Sequence, residues 1–578
     1  MVSFKKSKKH KILLALPFIF LLGIWIGVLA GKSADREFEK YTESLFAESL
    51  SGNTLSLHYT LADPSGYGLE QETATLGTAV PENPSASFAA LENESRRLKN
   101  FSYESLSEKN RLTYDILELY YETELSGENQ YLLAEILSPS LGIQAQLPPL
   151  LAEYVFRSEQ DILDYLNLLR DMPSYFDSII QFEKEKAKAG YYMSDATADR
   201  IIEQCTDFIS SGDKNYLNTV FEEKISGAGW LSDAKKKNSL NLHKDAVQNY
   251  VIPAYENLIS ALTALKGSGK NENGLYYLPG GKEYYTYLLK SSCGIYDSVE
   301  EIQTRLARQL MEDYEEIQRL LSADPSLAAS LFSDQSRKNQ TPDQILSSLQ
   351  EKIQKDFPSI PSVAYEVKYV HEDLKEHLSP AFYLTPPIDT KSPNLIYLNP
   401  DSGLSGIELY TTLAHEGFPG HLYQSQFFLS QDADPVRHVF SMGGYIEGWA
   451  TYIESYAYLY GSEKENLGRL LWLNRAMNLC LYSLLDIGIH YYGWTREATT
   501  EYLEKFGIHS EEICSEVFQS IVEDPSNYLK YYGGCLQFMD LRDEASLQKD
   551  FDLIDFHEKV LETGPCQFPI LEKYVLQS

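Results

Sequence analysis

Ile407-Glu408-Leu409-Tyr410-Thr411-Thr412-Leu413-Ala414-His415-Glu416-Gly417-Phe418-Pro419-Gly420-His421 is the most informative stretch of this 578-residue chain. Leu409, Thr412, Leu413 and Glu416 recur at three-to-four spacing, which predicts a partly buried helix carrying His415 and Glu416. His421 stands six residues after His415. Six steps of about 100° leave two side chains about 120° apart on an unbroken helix, too far round to share a metal ion. Pro419-Gly420 supplies the way out. Proline removes a backbone donor and clashes with the preceding turn, and glycine accepts dihedrals that other residues avoid. The helix is therefore expected to bulge or break there and swing His421 back toward His415. The spacing alone carries little weight, because His371-Glu372-Asp373-Leu374-Lys375-Glu376-His377 repeats it. That second copy lacks Pro-Gly, is crowded with charge, and reads as a solvated segment.

A His-Glu pair followed by a second His is similar to the H-E-x-x-H zinc motif, in which two histidines hold the ion and the glutamate acts on water. A third ligand has to come from a later helix. Gly444-Tyr445-Ile446-Glu447-Gly448-Trp449-Ala450-Thr451-Tyr452 offers Glu447, a charge among apolar and aromatic neighbours. An unpaired buried carboxylate is costly, and a metal ion removes that cost. An ordinary salt-bridged acid is the competing reading of Glu447. Glu454, two turns further on, lies on a similar face and is either a group behind the ligands or a rival ligand.

The rest of the chain narrows the class. Net charge is −33, from 50 Lys+Arg against 83 Asp+Glu, and hydrophobic residues make up 43%. That apolar content excludes a disordered chain, and so acidic a surface repels nucleic acid. Lys5, Lys6, Lys8, Lys9 and Lys11 precede Ile12 to Ala30, which carry no charge. Such a run nearly spans a hydrocarbon core of about 30 Å and exceeds the usual signal-peptide core of roughly 7–15 residues. Residues 1–11 are thus expected to be a cytoplasmic basic tail, 12–31 a transmembrane signal anchor, and 32–578 an extracytoplasmic domain. The alternative is a secreted protein cut after Val28-Leu29-Ala30. No Cys follows the apolar run, which argues against a lipid anchor. Residues 1–32 hold six lysines and no acid, so without them the net charge falls from −33 to −39. The six cysteines, Cys205, Cys293, Cys480, Cys514, Cys535 and Cys566, show no metal-ligand pairing and read as buried thiols, with Cys535–Cys566 the most plausible bridge.

Most segments read as helix, including Phe38 to Leu50, Glu108 to Leu125, Ser158 to Lys188, Ala246 to Leu265, Ser298 to Leu321 and Leu467 to Ile489. Val363 to Val370 and Asn394 to Leu398 alternate like strands, with the extended Pro380 to Pro387 between them. The expectation is a large, mostly helical body with one small sheet.

The run H-E-x-x-P-G-H, followed about thirty residues later by E-G-W-A, resembles a bacterial family of zinc-peptidase-like proteins known as domain of unknown function 885. Leu278-Pro279-Gly280-Gly281, Pro380 to Pro387, Arg475 through Asp486-Ile487-Gly488-Ile489-His490, Gly493-Trp494, Tyr531, Gly534, Leu541-Arg542 and Phe551 to His557 match further parts of its pattern. The likeness covers nearly all of residues 35–575. It departs at Leu422, where the family usually has a second His, and at Asn527, where it usually has Gln. The resemblance implies a helical fold similar to the gluzincin oligopeptidases and the angiotensin-converting-enzyme group, with a deep cleft. It implies that His415, His421 and Glu447 bind one Zn2+ per chain, and that Glu416 activates water to cleave short peptides. Tyr531, or else His490 paired with Asp486, is the implied oxyanion donor. Arg475 and Arg542 could pair with a peptide carboxylate, but surface salt bridges are the role expected of either. An exported binding or scaffold protein on a degenerate peptidase fold, and a zinc amidohydrolase with a non-peptide substrate, are the other readings. The sequence leaves substrate identity and oligomeric state open.

Overall fold

The computed structural model describes residues 33–69, 73–212, 215–331, 340–372, 375 and 378–576. The expected tail and anchor over 1–31 lie outside these residues. Among the described residues, no helix is long and apolar enough to cross a membrane.

The helical runs fold as helices, and their ends follow local chemistry. Helix α1, Glu159–Ala189, opens on a capping box between Ser158 and Asp161 and ends at Gly190, whose φ of 85° stops it. The run expected over Ala246 to Leu265 divides. A helix ends at Ala246, Val247–Val251 form a π turn, and α2 covers Ile252–Leu265. Pro253 is the cause, because its ring cannot donate to the preceding turn and one extra residue absorbs the misfit. Helix α3, Val299–Ala323, carries a second capping box, Ser298 with Glu301.

Three strands follow: β1, Tyr365–Tyr369; β2, Ala381–Leu384; β3, Asn394–Leu398. Their order is β1-β3-β2, with β3 parallel to β1 and antiparallel to β2. All five residues of β3 are buried, and they alternate. Ile396 and Leu398 enter the main core, while Leu395 and Tyr397 enter a second core built largely on α1 and α2. Period two thus puts one strand between two apolar bodies.

Beyond the sheet come α4, Gly406–Glu416; α5, His421–Ser430; α6, Gly443–Gly461; and α7, Glu465–His490. A π turn, Leu529–Gly533, leads into α8, Gly534–Ala545. Helix α6 packs against α4, α7, the π turn and α8, so its two acids face side chains from several elements. All six cysteines are buried free thiols. The Cys535–Cys566 bridge is not formed; both side chains pack in the main core.

Candidate metal centre

The site begins where α4 ends. Gly417 donates its N–H to Leu413 O, and Gly420 donates to Ala414 O at 2.9 Å. The chain turns back so tightly that a Cβ on Gly420 would stand 1.8 Å from the His415 carbonyl oxygen. The indole N–H of Trp449 on α6 donates to Pro419 O at 2.9 Å and holds the turn in place. His421 then opens α5. The expected break therefore occurs, and the two imidazole rings lie 4.8 Å apart at 89°. G420A is expected to lower the melting temperature clearly, since backbone must move to admit the methyl group. An unchanged melt would refute this account of the turn.

His415, His421 and Glu447 each bring a ligand atom within 4.8 Å of the others. Nε2 of either histidine is 3.6 Å from Glu447 Oε2. Donors around tetrahedral zinc with bonds of about 2.0–2.1 Å lie about 3.3 Å apart, so Glu447 stands near that spacing from each histidine, while the set as a whole spans up to 4.8 Å. The chemistry of the set also fits. His415 Nδ1 lies 2.9 Å from Glu454 Oε1, and Arg475 Nε donates to Glu454 Oε2 at 3.0 Å. A proton on Nδ1 shared with a carboxylate leaves Nε2 free to bind metal, the usual support of a metal-bound histidine. Glu454 is thus the group behind His415 rather than a rival ligand, and Arg475 anchors it.

The charges of the cluster support one another. Burial opposes a charge on His415, but hydrogen bonds to Glu447 and Glu454 outweigh it and raise the ring to about 10. Burial likewise works against the Glu447 carboxylate, yet the two histidines hold it below the usual range. Either a proton or a metal ion must satisfy the pocket. Glu454→Ala is expected to weaken zinc affinity by about 10–100-fold. Competition against a chromophoric chelator would measure this, and wild-type affinity would remove Glu454 from the site.

Glu416 is 9% exposed and lines, with His415, His421 and Glu447, a cleft of about 1020 Å³. The cleft face of α4 carries Glu408, Thr411, Thr412 and His415, while Ile407, Tyr410, Leu413 and Ala414 face the core. Of the stripe read from the sequence, Leu409 and Leu413 pack on the main core, while Thr412 turns to the cleft. Tyr531 also lines the cleft, its ring stacked over His415 at 6.5 Å. Burial, and after it Glu447 and Glu416, push its phenol well above the usual range, so it remains a proton donor.

His490 is not part of this site, which corrects the expectation placed on it. It is fully buried, accepts the Leu275 N–H on Nδ1 at 3.1 Å, and lies 2.8 Å from Ile521 O through Nε2. Asp486 does not hold it either. That carboxylate accepts from Tyr285 Oη and the Ser526 N–H. His490 shares α7 with Arg475, but fifteen residues of helix are about 22 Å of rise. Arg542 pairs with Asp543 and lies over Tyr452, away from the cleft. Leu422 is buried in the main core, so a histidine there would not reach the ligands. Of the second His-Glu copy, His377 lies outside the described residues, and Lys375 pairs with Glu372 and Asp401.

Sequence reasoning missed Asn474 and Asn478, which line the cleft beside Arg475. Their signal was present: polar residues at i, i+1 and i+4 in the middle of a helix whose neighbouring turns are mostly apolar. It also missed β2, which lines the cleft through Ala381, Phe382 and Tyr383.

A mostly helical body with a His, His and Glu cluster in its cleft is the architecture in hand. Residues 63–575 match the family described as bacterial protein of unknown function (DUF885), and the chain belongs to that family. A crystal structure of a candidate lipoprotein from Colwellia psychrerythraea is similar, with TM-score 0.81 and 21% identity, covering 94% of this chain and 99% of that one. A candidate lipoprotein of unknown function from Shewanella oneidensis is also similar, with TM-score 0.61 and 16% identity, covering 93% and 99%. At these identities the likeness is one of fold. No curated protein matches the chain.

Proposed function

We propose that this protein is a zinc-dependent hydrolase, a metallopeptidase that cleaves short peptides outside the cytoplasm. The observation that carries the reading is the convergence of His415, His421 and Glu447 in a cleft that also holds the buried Glu416. A scaffold protein has no need of a carboxylate beside the three ligands. Peptide is favoured over other amides by β2, an edge strand in the sheet order whose residues line the cleft. An extended backbone can add to such an edge through main-chain hydrogen bonds. The uncharged run over 12–31 and the description of two structural relatives as candidate lipoproteins support a membrane-anchored, exported location.

His415, His421 and Glu447 would hold the ion. Bound zinc supplies Lewis acidity, polarising the scissile carbonyl and acidifying a water molecule. Glu416 accepts a proton from the attacking water and returns it to the leaving amine. The water oxygen joins the acyl carbon, the C–N bond breaks, and the products are a carboxylic acid and an amine. Tyr531 donates its O–H to the oxygen that gains charge. Glu454 and Arg475 keep the His415 ring in register.

Tyr531→Phe is expected to lower kcat by about 10²–10³-fold with little change in KM, the signature of a donor used in the transition state. An equal rise in KM with kcat preserved would make it a binding residue. The reading as a whole is tested with a quenched-fluorescent peptide library on purified protein. Cleavage that a chelator abolishes and added zinc restores is the expected result. Stoichiometric zinc with no cleavage of any peptide would overturn peptidase action.

A further inference from the structure

A second chamber of about 600 Å³ lies against the metal centre, sharing Glu447 and Tyr531 with the main cleft. Its wall includes Ser441, Gly443, Asn527 and Lys530. The centre therefore stands between two spaces. A substrate held at Glu416 would have room to place one end in each.

The two spaces differ in charge. In the main cleft the cation is Arg475, and it is committed to Glu454. In the chamber the cation is Lys530, whose ammonium group makes no hydrogen bond or ion pair among the described residues. Its stem is placed by packing. A Cβ on Gly443 would lie 3.0 Å from Lys530 Cδ, so the glycine leaves room for the chain to run across the start of α6. Helix α6 begins there with no side chain capping it, which adds positive potential on the same side. The opposing charges in the chamber are Glu447, which faces the two histidines at 3.6 Å, and Glu124, whose carboxylate accepts the Tyr287 O–H at 2.9 Å and which burial shifts toward the neutral form. Asp486 and Asp524 feel Lys530 through space, but Asp486 is fully buried and occupied elsewhere, and Asp524 accepts from Ser138 at 2.8 Å.

We propose that this chamber receives the free carboxylate terminus of the substrate, with Lys530 as its ion-pairing group, so that hydrolysis releases short carboxy-terminal fragments. Asn527 stands beside Lys530 in the wall and offers an amide donor to the same group. This rests on the peptidase reading above and adds a direction to it. The carboxyl half of the substrate lies on the α6 side and the amino half along β2.

Binding tests it apart from turnover. Zinc-loaded E416Q protein would be titrated calorimetrically with a short peptide as its free acid and as its carboxy-terminal amide. The acid is expected to bind about tenfold more tightly or better, the scale of a charge-assisted contact. K530M should erase that preference, and K530R should keep most of it. Metal content and melting temperature would show that each variant is folded. An acid that binds no more tightly than its amide, or a preference that survives in K530M, overturns the proposal. Absence of turnover in wild type, with the binding preference intact, would count against the peptidase reading alone.

Discussion

Replacing Glu416 with Gln is expected to abolish hydrolysis while the protein keeps about one zinc per chain. The substitution preserves volume at a position only 9% exposed, so packing at the end of α4 is not disturbed. Glu416 is not among the three groups whose donor atoms converge, so the ion has no reason to leave. What is lost is the group that takes and returns a proton, and general acid–base catalysis of this kind contributes about 10²–10⁴-fold. Single-turnover kinetics on zinc-loaded protein would read the loss directly. Activity within a few-fold of wild type would transfer the role to another residue. Loss of metal would instead make Glu416 a ligand.

The converse is expected of His421→Ala and Glu447→Ala, which should purify with no stoichiometric zinc. Each removes a donor from a set of three. The remaining pair is expected to fall short by more than the roughly 100-fold that a supporting residue behind a ligand can cost. Glu447→Ala also removes the acceptor that faces both imidazoles at 3.6 Å, leaving two half-buried rings without their shared partner. Elemental analysis of wild type and both variants, prepared side by side, settles the point. Full zinc in either variant would remove that residue from the centre, and an empty wild type would reduce the Pro-Gly turn to a structural kink.

The centre was legible because its parts carry strong local signals. Pro419-Gly420 announces a break in a helix, and a lone acid among Tyr445, Trp449 and Tyr452 announces a carboxylate that needs partners. The strands were legible because β3 separates two cores, which enforces alternation. Other features depend on tertiary placement. His490 looked catalytic because it closes an apolar helix near an acid, yet distance along α7 removes it from the cleft. The π turn at Val247–Val251 came from a proline inside a run whose periodicity otherwise continued unbroken. Lys530 sits beside Tyr531 in sequence, but nothing in the sequence says that α6 opens on a chamber there.

The path Arg475–Glu454–His415 joins α7 to α6 and α6 to α4, and the ion would add α5 through His421. Four helices would then be cross-linked at one point. Anything that binds the folded chain and not the unfolded one stabilises it in proportion to its supply, about 2.7 kcal/mol at a free concentration 100 times Kd. Free metal would thus govern the lifetime of the protein as well as its activity. Limited proteolysis across a series of zinc buffers should show half-lives that lengthen with free zinc. Half-lives indifferent to zinc would mean that the four helices hold together without it. If they lengthen as expected, protein stranded in a zinc-poor surrounding is cleared rather than stored, and its abundance follows the supply of metal.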